Sequence, residues 1–277
     1  MQYDPIKQRL GRLFSQRLWT RSLFYRLLDI LLLRAWHIHR SLRDFGARSR
    51  GRQNIRLLDA GSGFGQYSYY LARKHPGWQI TAIDIKEEEV EACREFFARR
   101  GKTNVEFRTE DLTAFEQPQT YDLILSVDVM EHIEDDESVL SGFYRSLKPG
   151  GMLLVSTPSD KGGSGIEHQD QESFIGEHVR DGYGRCEMEE KLRRAGFDRI
   201  DINYTYGKPG RLSWKLSMKY PLLMLGRSGL FLAILPLYYL VCMPLVLGLN
   251  VADLNITHKS GTGLLVRAWK HNKKEES

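Results

Sequence analysis

The 277 residues predict an α/β protein, doubly wound around a mostly parallel seven-stranded sheet. Three observations carry that prediction. After Arg50, short apolar runs alternate with longer helical ones, the pattern of a sheet covered by helices on both faces. Several of those runs close on an aspartate, and the first leads straight into a glycine turn, "LLDAGSGFG". The composition, 42% hydrophobic and 27% charged, belongs to a chain with a packed core rather than a disordered one.

Taken in order, the strand-like runs are Ile55–Asp59, Gln79–Asp84, Val105–Thr109, Tyr121–Val127 and Met152–Thr157. Helical stretches fit at Gln66–Lys74, Glu87–Arg100, Asp135–Leu147 and Gly184–Ala195. Ile200–Thr205 and Gly263–Trp269 supply two further strands, separated by a segment of very different composition. In the turn after the first strand, Gly61, Gly63 and Gly65 remove the β-carbon where the chain bends sharply, and the following helix start offers free N–H groups to a ligand. The spacing is D-x-G-x-G-x-G. A dinucleotide fingerprint would place its third glycine at position 66, which is Gln66. Asp59, Asp84, Asp111 and Asp128 follow four successive strands, at the sheet edge where open parallel sheets bind ligands. One such acid reads equally well as a helix cap or turn residue; four beside a glycine turn favour a ligand site.

The motifs "LLDAGSGFG", "ITAIDI", "TEDLTAF", "YDLILSVDVMEHI" and "LKPGGMLLVSTPS", in that order, resemble those of the class I S-adenosylmethionine-dependent methyltransferases, most closely the branch of the ubiquinone-biosynthesis O-methyltransferases. The resemblance covers about 52–206 and returns at Gly263–Trp269, and it implies the Rossmann-like methyltransferase fold. It also implies roles. Gly61, Gly63 and Gly65 would lie against the methionine and ribose of S-adenosyl-L-methionine. Asp59 would orient that loop and meet the methionine ammonium. Asp84 would accept from both ribose hydroxyls, Ile85 would cover the adenine, and Asp111 with the Leu112 N–H would read the adenine edge. Val127 closes the fourth strand beside them.

Methyl transfer from a sulfonium is an in-line displacement, so the protein must align the acceptor, exclude water and remove a proton where the acceptor carries one. Asp128, Glu131 and His132 stand at i, i+3 and i+4 at a strand-to-helix junction and can share one face. The resemblance makes them candidate ligands for a divalent metal beside an acceptor hydroxyl; an ordering role for the loop is the alternative. His178, in "GEHVRDGYGR", is a second candidate base or an exposed loop residue.

Charge is uneven. Residues 1–50 carry eleven Lys/Arg against three Asp, although the whole chain is only +5. Leu10, Leu13, Phe14, Leu18, Phe24, Tyr25, Leu28, Leu31 and Leu32 recur at helical steps among those arginines, as in a membrane-surface helix or a lid over the cofactor. No stacking platform points to nucleic acid. Residues 228–252 contain no charge at all, which reads as a membrane element. The strand that must return to the sheet argues for an interfacial hairpin, with Pro236 and Pro244 interrupting the helix and Tyr238 and Tyr239 at the headgroup level; a buried homodimer interface is the alternative. Three scattered cysteines suit a reducing compartment, and the apolar run at 27–33 lacks the marks of a signal peptide.

The domain expectation is therefore a basic amphipathic segment at 1–50, a cofactor-binding core at 51–211, a hydrophobic helical insertion at 212–254, and a last strand with a polar tail at 255–277. The functional expectation is a monotopic enzyme on the cytoplasmic face of a membrane, methylating a lipophilic small molecule, at oxygen first and otherwise at carbon or nitrogen. A catalytically silent membrane scaffold is the rival.

Overall fold

A computed structural model describes residues 18–52, 54–162 and 179–271. Helices α1 (Leu18–Leu31) and α2 (Leu33–Arg48) precede the sheet. The core then runs β1 (Arg56–Ala60), α3 (Gln66–Lys74), β2 (Gln79–Asp84), α4 (Glu87–Arg99), β3 (Val105–Thr109), β4 (Tyr121–Val127), α5 (Asp136–Ser146), β5 (Leu147–Pro158), α6 (Arg185–Ala195) and β6 (Arg199–Thr205). Three further helices, α7 (Lys208–Trp214), α8 (Tyr220–Arg227) and α9 (Leu235–Asn255), come before β7 (Gly263–Trp269).

The seven strands lie in the order β3-β2-β1-β4-β5-β7-β6. All pairs are parallel except those of β7, which runs antiparallel to both β5 and β6. Strand order reverses between β1 and β4, so the crevice of this sheet opens above Ala60 and Ser126, which pair there.

Side-chain alternation divides the core. Leu57, Ile80, Leu123, Leu125 and Leu154 point to the face covered by α2, α3 and α4, while Leu58, Ile83, Ile124, Leu153 and Val155 point to the face covered by α5 and α6. Both faces are buried, which is why the strands read as near-continuous apolar runs. Local signals agree with the elements. Asp135 caps α5 by accepting from the Ser138 N–H at 3.2 Å, α4 opens with Glu87, Glu88 and Glu89 at its positive end, and Gly196 ends α6 at φ 109°.

The insertion behaves differently from its prediction. α9 runs 21 residues straight through Pro244, and Pro236 sits in its first turn, where the missing N–H leaves no bond unmade. Neither proline interrupts the helix. The other limb is α7, a wider π turn at Lys215–Lys219 and α8. The two tyrosines expected at a headgroup layer instead tie the limbs together: Tyr238 Oη donates to the Leu216 carbonyl and Tyr239 Oη to the Ser217 carbonyl, both at 2.8 Å.

At the other end of the chain, Leu10, Leu13 and Phe14 lie outside the described residues. The arginines do not all face solvent. Arg21 is buried beneath α1, donating to Tyr25 Oη and to the carbonyls of Ala92 and Phe64, while Trp19, Leu23, Leu27 and Ile30 form the exposed side.

Candidate functional site: the mouth of the β1–β4 crevice

β1 ends in Asp59, 3% exposed, whose Oδ2 accepts from the Ser68 hydroxyl at 2.6 Å. Burial pushes the Asp59 carboxyl up to about 6; the Ser68 bond opposes that shift and the nearby charge of Asp84 adds to it. The chain then turns. The N–H groups of Gly61 and Ser62 both donate to the Ile83 carbonyl at 2.9 Å, which sews the loop to the end of β2. Gly61 holds φ 77°, and a β-carbon there would collide with the Val129 methyls. Gly63, two residues on, faces open space: a β-carbon would meet nothing within 4 Å. Gly65 is the N-cap of α3.

Asp84 closes β2 and grips the same loop, its Oδ2 accepting from the Gly63 N–H at 2.7 Å and its Oδ1 from the Lys86 N–H at 3.0 Å. Ile85 beside it is 67% exposed, an apolar side chain with nothing covering it. Asp111 uses Oδ1 to hold the N–H and hydroxyl of Thr113, and Leu112 is buried. Val127 is half-buried at the end of β4. The open space at Gly63, beside Asp84 and the uncovered Ile85, suits a nucleoside whose ribose needs a carboxylate and whose base needs an apolar seat.

On the β4 side the expected triad separates. Asp128 adopts a left-handed backbone, φ 53°, and its carboxylate pairs with the guanidinium of Arg34 from α2. Glu131 is 1% exposed and accepts from the Thr157 hydroxyl at 3.0 Å, and burial raises its carboxyl above the ordinary range. His132 ends the short turn at Met130–His132. A shared divalent metal on Asp128, Glu131 and His132 does not fit this arrangement, because the two carboxylates are spent on different partners. Among the described residues no three His, Cys, Asp or Glu side chains group as metal ligands. His178 lies outside the described residues. Its neighbour Arg180 is structural, donating to the Ile133 carbonyl and pairing with Asp136 at 2.8 Å.

Sequence reasoning missed the groups that roof this crevice. The Arg34 N–H donates to Tyr206 Oη at 3.0 Å, and Tyr206 itself sits at φ 54° just past β6. The Tyr206 N–H in turn donates to Asp253 of α9 at 3.2 Å. Asp253 is fully buried and also accepts from the Gly207 and Gly210 N–H groups and from His37 and His258, at 2.9–3.1 Å. Burial works against its ionisation, but the His37 bond, the His258 charge and the Gly210 N–H outweigh it and hold the carboxyl below its ordinary value. Only Asp253 carried a trace in the sequence, as a lone acid ending an uncharged run.

The family description "Methyltransferase domain" matches residues 52–194, just over half of the chain. The chain belongs to this methyltransferase family. Among curated relatives, a ubiquinone biosynthesis O-methyltransferase of Xanthomonas euvesicatoria is 32% identical over 174 residues, 59% of this chain and 71% of that protein. One of the same name from Leptothrix cholodnii is 31% identical over 105 residues, 37% of this chain but 44% of that one. The chain spans about half the length of most of the curated relatives it matches. Among solved structures, a phosphoethanolamine N-methyltransferase 2 of Haemonchus contortus in complex with S-adenosyl-L-methionine superposes with a TM-score of 0.59 at 20% identity, covering 90% of this methyltransferase and 60% of that chain. That likeness establishes the shared fold, with the glycine turn and the β2 acid at the mouth of its crevice.

Proposed function

We propose that this methyltransferase carries a methyl group from S-adenosyl-L-methionine to a hydroxyl of a lipophilic acceptor taken from a membrane, at the cytoplasmic face. The donor, when bound, supplies an already activated methyl on a sulfonium. Asp84 would hold the ribose hydroxyls, Gly63 would give the backbone room beside it, Ile85 would cover the adenine, and Asp59 would face the methionine ammonium. The observation that carries the lipophilic acceptor is the root of the insertion. Asp253, at the inner end of the apolar hairpin, bonds Tyr206, and Tyr206 bonds Arg34 over Asp128. That chain of contacts supports the reading in which an acceptor leaving lipid along α9 is delivered to the β4 side of the crevice.

The test is incubation with membranes and deuterated-methyl S-adenosyl-L-methionine, followed by mass spectrometry of the lipid extract. A lipid-soluble species gains the label, and Asp84→Ala abolishes it with a loss of roughly 100-fold or more in cofactor affinity, the worth of two hydrogen bonds to a charged group. Label confined to the aqueous phase would remove the lipophilic acceptor and leave the methyl transfer.

The Asp59 carboxyl gives a pH signature. Its folded pKa, about 6, lies above the ordinary carboxylate value, so ionisation costs the folded protein stability as pH rises through that interval. A cation bound beside Asp59 removes that cost. Affinity for S-adenosylhomocysteine is then about tenfold weaker near pH 5 than near pH 7, and binding near pH 6 releases about half a proton. Calorimetry in two buffers of different ionisation enthalpy reads the proton directly, and Asp59→Asn flattens the profile. A flat wild-type profile would mean that Asp59 meets no cation.

A further inference from the structure

The Arg34–Asp128 pair has features that a helix tether does not need. Its side chains remain 27% and 36% exposed. The pair sits at the N-terminus of α2, a 16-residue helix with no side-chain cap, whose positive end adds to the guanidinium. Arg34 Nε is buried without a hydrogen-bond partner. The Tyr67 hydroxyl, on a residue 8% exposed at the start of α3, faces the same guanidinium and makes no hydrogen bond of good geometry. Two non-glycine residues in the left-handed region, Asp128 and Tyr206, frame the spot, a local strain that the surroundings sustain. The charged and titratable groups acting on Arg34 are Asp128, Tyr67, Tyr206 and the buried Glu131.

We infer that Arg34 and Asp128 form the acceptor-activating pair, with the acceptor's acidic hydroxyl, a phenol or enol, seated against the exposed side of the pair so that it meets both the guanidinium and the carboxylate, and the Tyr67 hydroxyl donating to the same oxygen. This rests on the methyl-transfer reading above. The hydroxyl proton passes to Asp128. The oxygen, its developing charge held by Arg34 and Tyr67, bonds to the donor's methyl carbon as the carbon–sulfur bond breaks and its electron pair stays on sulfur. Asp128 later returns the proton to solvent. The pair thus does with a cation and a base what a metal-bound hydroxyl does elsewhere.

The experiment titrates a dodecyl-substituted nitrophenol, whose phenolate absorbs visible light, in detergent micelles with and without the full chain loaded with S-adenosylhomocysteine. Bound probe ionises at a pH lower by about one unit, a tenfold preference for the phenolate. Arg34→Gln removes the displacement and Tyr67→Phe reduces it, while Arg34→Lys keeps part. Asp128→Asn acts in the opposite sense: it strengthens phenolate binding by removing the competing carboxylate, yet slows methyl transfer by removing the base. A purely structural tether would weaken S-adenosylhomocysteine binding and thermal stability in all four variants without splitting them by sign. An unshifted or unbound probe on protein that still takes up S-adenosylhomocysteine overturns this inference alone. Failure of the wild type to bind S-adenosylhomocysteine overturns the methyl-transfer reading beneath it.

Discussion

Replacing Asp253 by alanine lowers stability by about 3–5 kcal/mol, the cost of removing one partner from a buried charged cluster. For a chain of this size that corresponds to a drop of roughly 10 °C in the midpoint of thermal unfolding. The magnitude follows from how many groups lose their acceptor at once. The N–H groups of Tyr206, Gly207 and Gly210 and the rings of His37 and His258 all converge on this carboxylate, which has no exposure to water. Those N–H groups belong to the start of α7 and the end of β6, so one side chain fixes the hairpin to the sheet and to α2 together. Asp253→Asn keeps an acceptor oxygen but loses the charge, and falls between the wild type and alanine. Because the folded carboxyl lies below its ordinary value, its contribution is complete above the usual carboxylate range and fades only as pH falls through the lowered value. Differential scanning calorimetry at neutral pH decides the matter, and an alanine variant melting within about 2 °C of wild type would show that the cluster is not what anchors the insertion.

How much of this was legible beforehand depends on the range over which each signal acts. The glycine turn and the acids at strand ends are local: Asp59, Gly61, Gly63 and Asp84 need only the strand-to-helix geometry around them, and they stand at the crevice mouth. The sheet was legible because parallel strands buried on both faces leave continuous apolar runs. Asp128 and Glu131 show where such reading ends. Helical spacing placed them on one face, but Asp128 takes a left-handed backbone and pairs with Arg34 while Glu131 bonds Thr157, so each carboxylate is committed to a different partner. Arg34 gave no sign at all. It is one of eleven basic residues in the first fifty, and its pairing with Asp128, 94 positions along the chain, exists only in three dimensions. The tyrosines of the insertion teach the same lesson: an aromatic pair in an apolar run suggests an interface, whereas the hydroxyls answer carbonyls 22 residues away at the irregular turn.

In that hairpin several uncharged polar groups face inward: Ser213 donates to Asn250 at 2.5 Å, Ser217 is buried, and both tyrosine hydroxyls are spent between the limbs, while Lys215 and Arg227 stay exposed. Its apolar groups face outward. Leu230 is 83% exposed, Leu240 74% and Val241 71%, and only 11% of the most apolar window of α9 is buried. In water this arrangement exposes a continuous apolar patch, which soluble monomers rarely carry. The proposed membrane reading accounts for it, since in lipid polar groups must find partners within the protein. α9 is long and apolar enough to cross a bilayer, yet β7 follows it directly into the same sheet as β6, so a hairpin entering and leaving one face satisfies both constraints. Replacing Leu237, Leu240 and Val241 together by serine therefore costs the fold little, because surface changes are usually small. It weakens association with phospholipid vesicles by about 3 kcal/mol, roughly a hundredfold. Co-sedimentation measures the loss, and S-adenosylhomocysteine affinity is unchanged in the same variant. If the triple variant sediments with vesicles as well as wild type does, lipid is not what covers this face. A wild-type chain that elutes as a dimer in the absence of lipid, and as a monomer when so substituted, would then give the surface to a second copy.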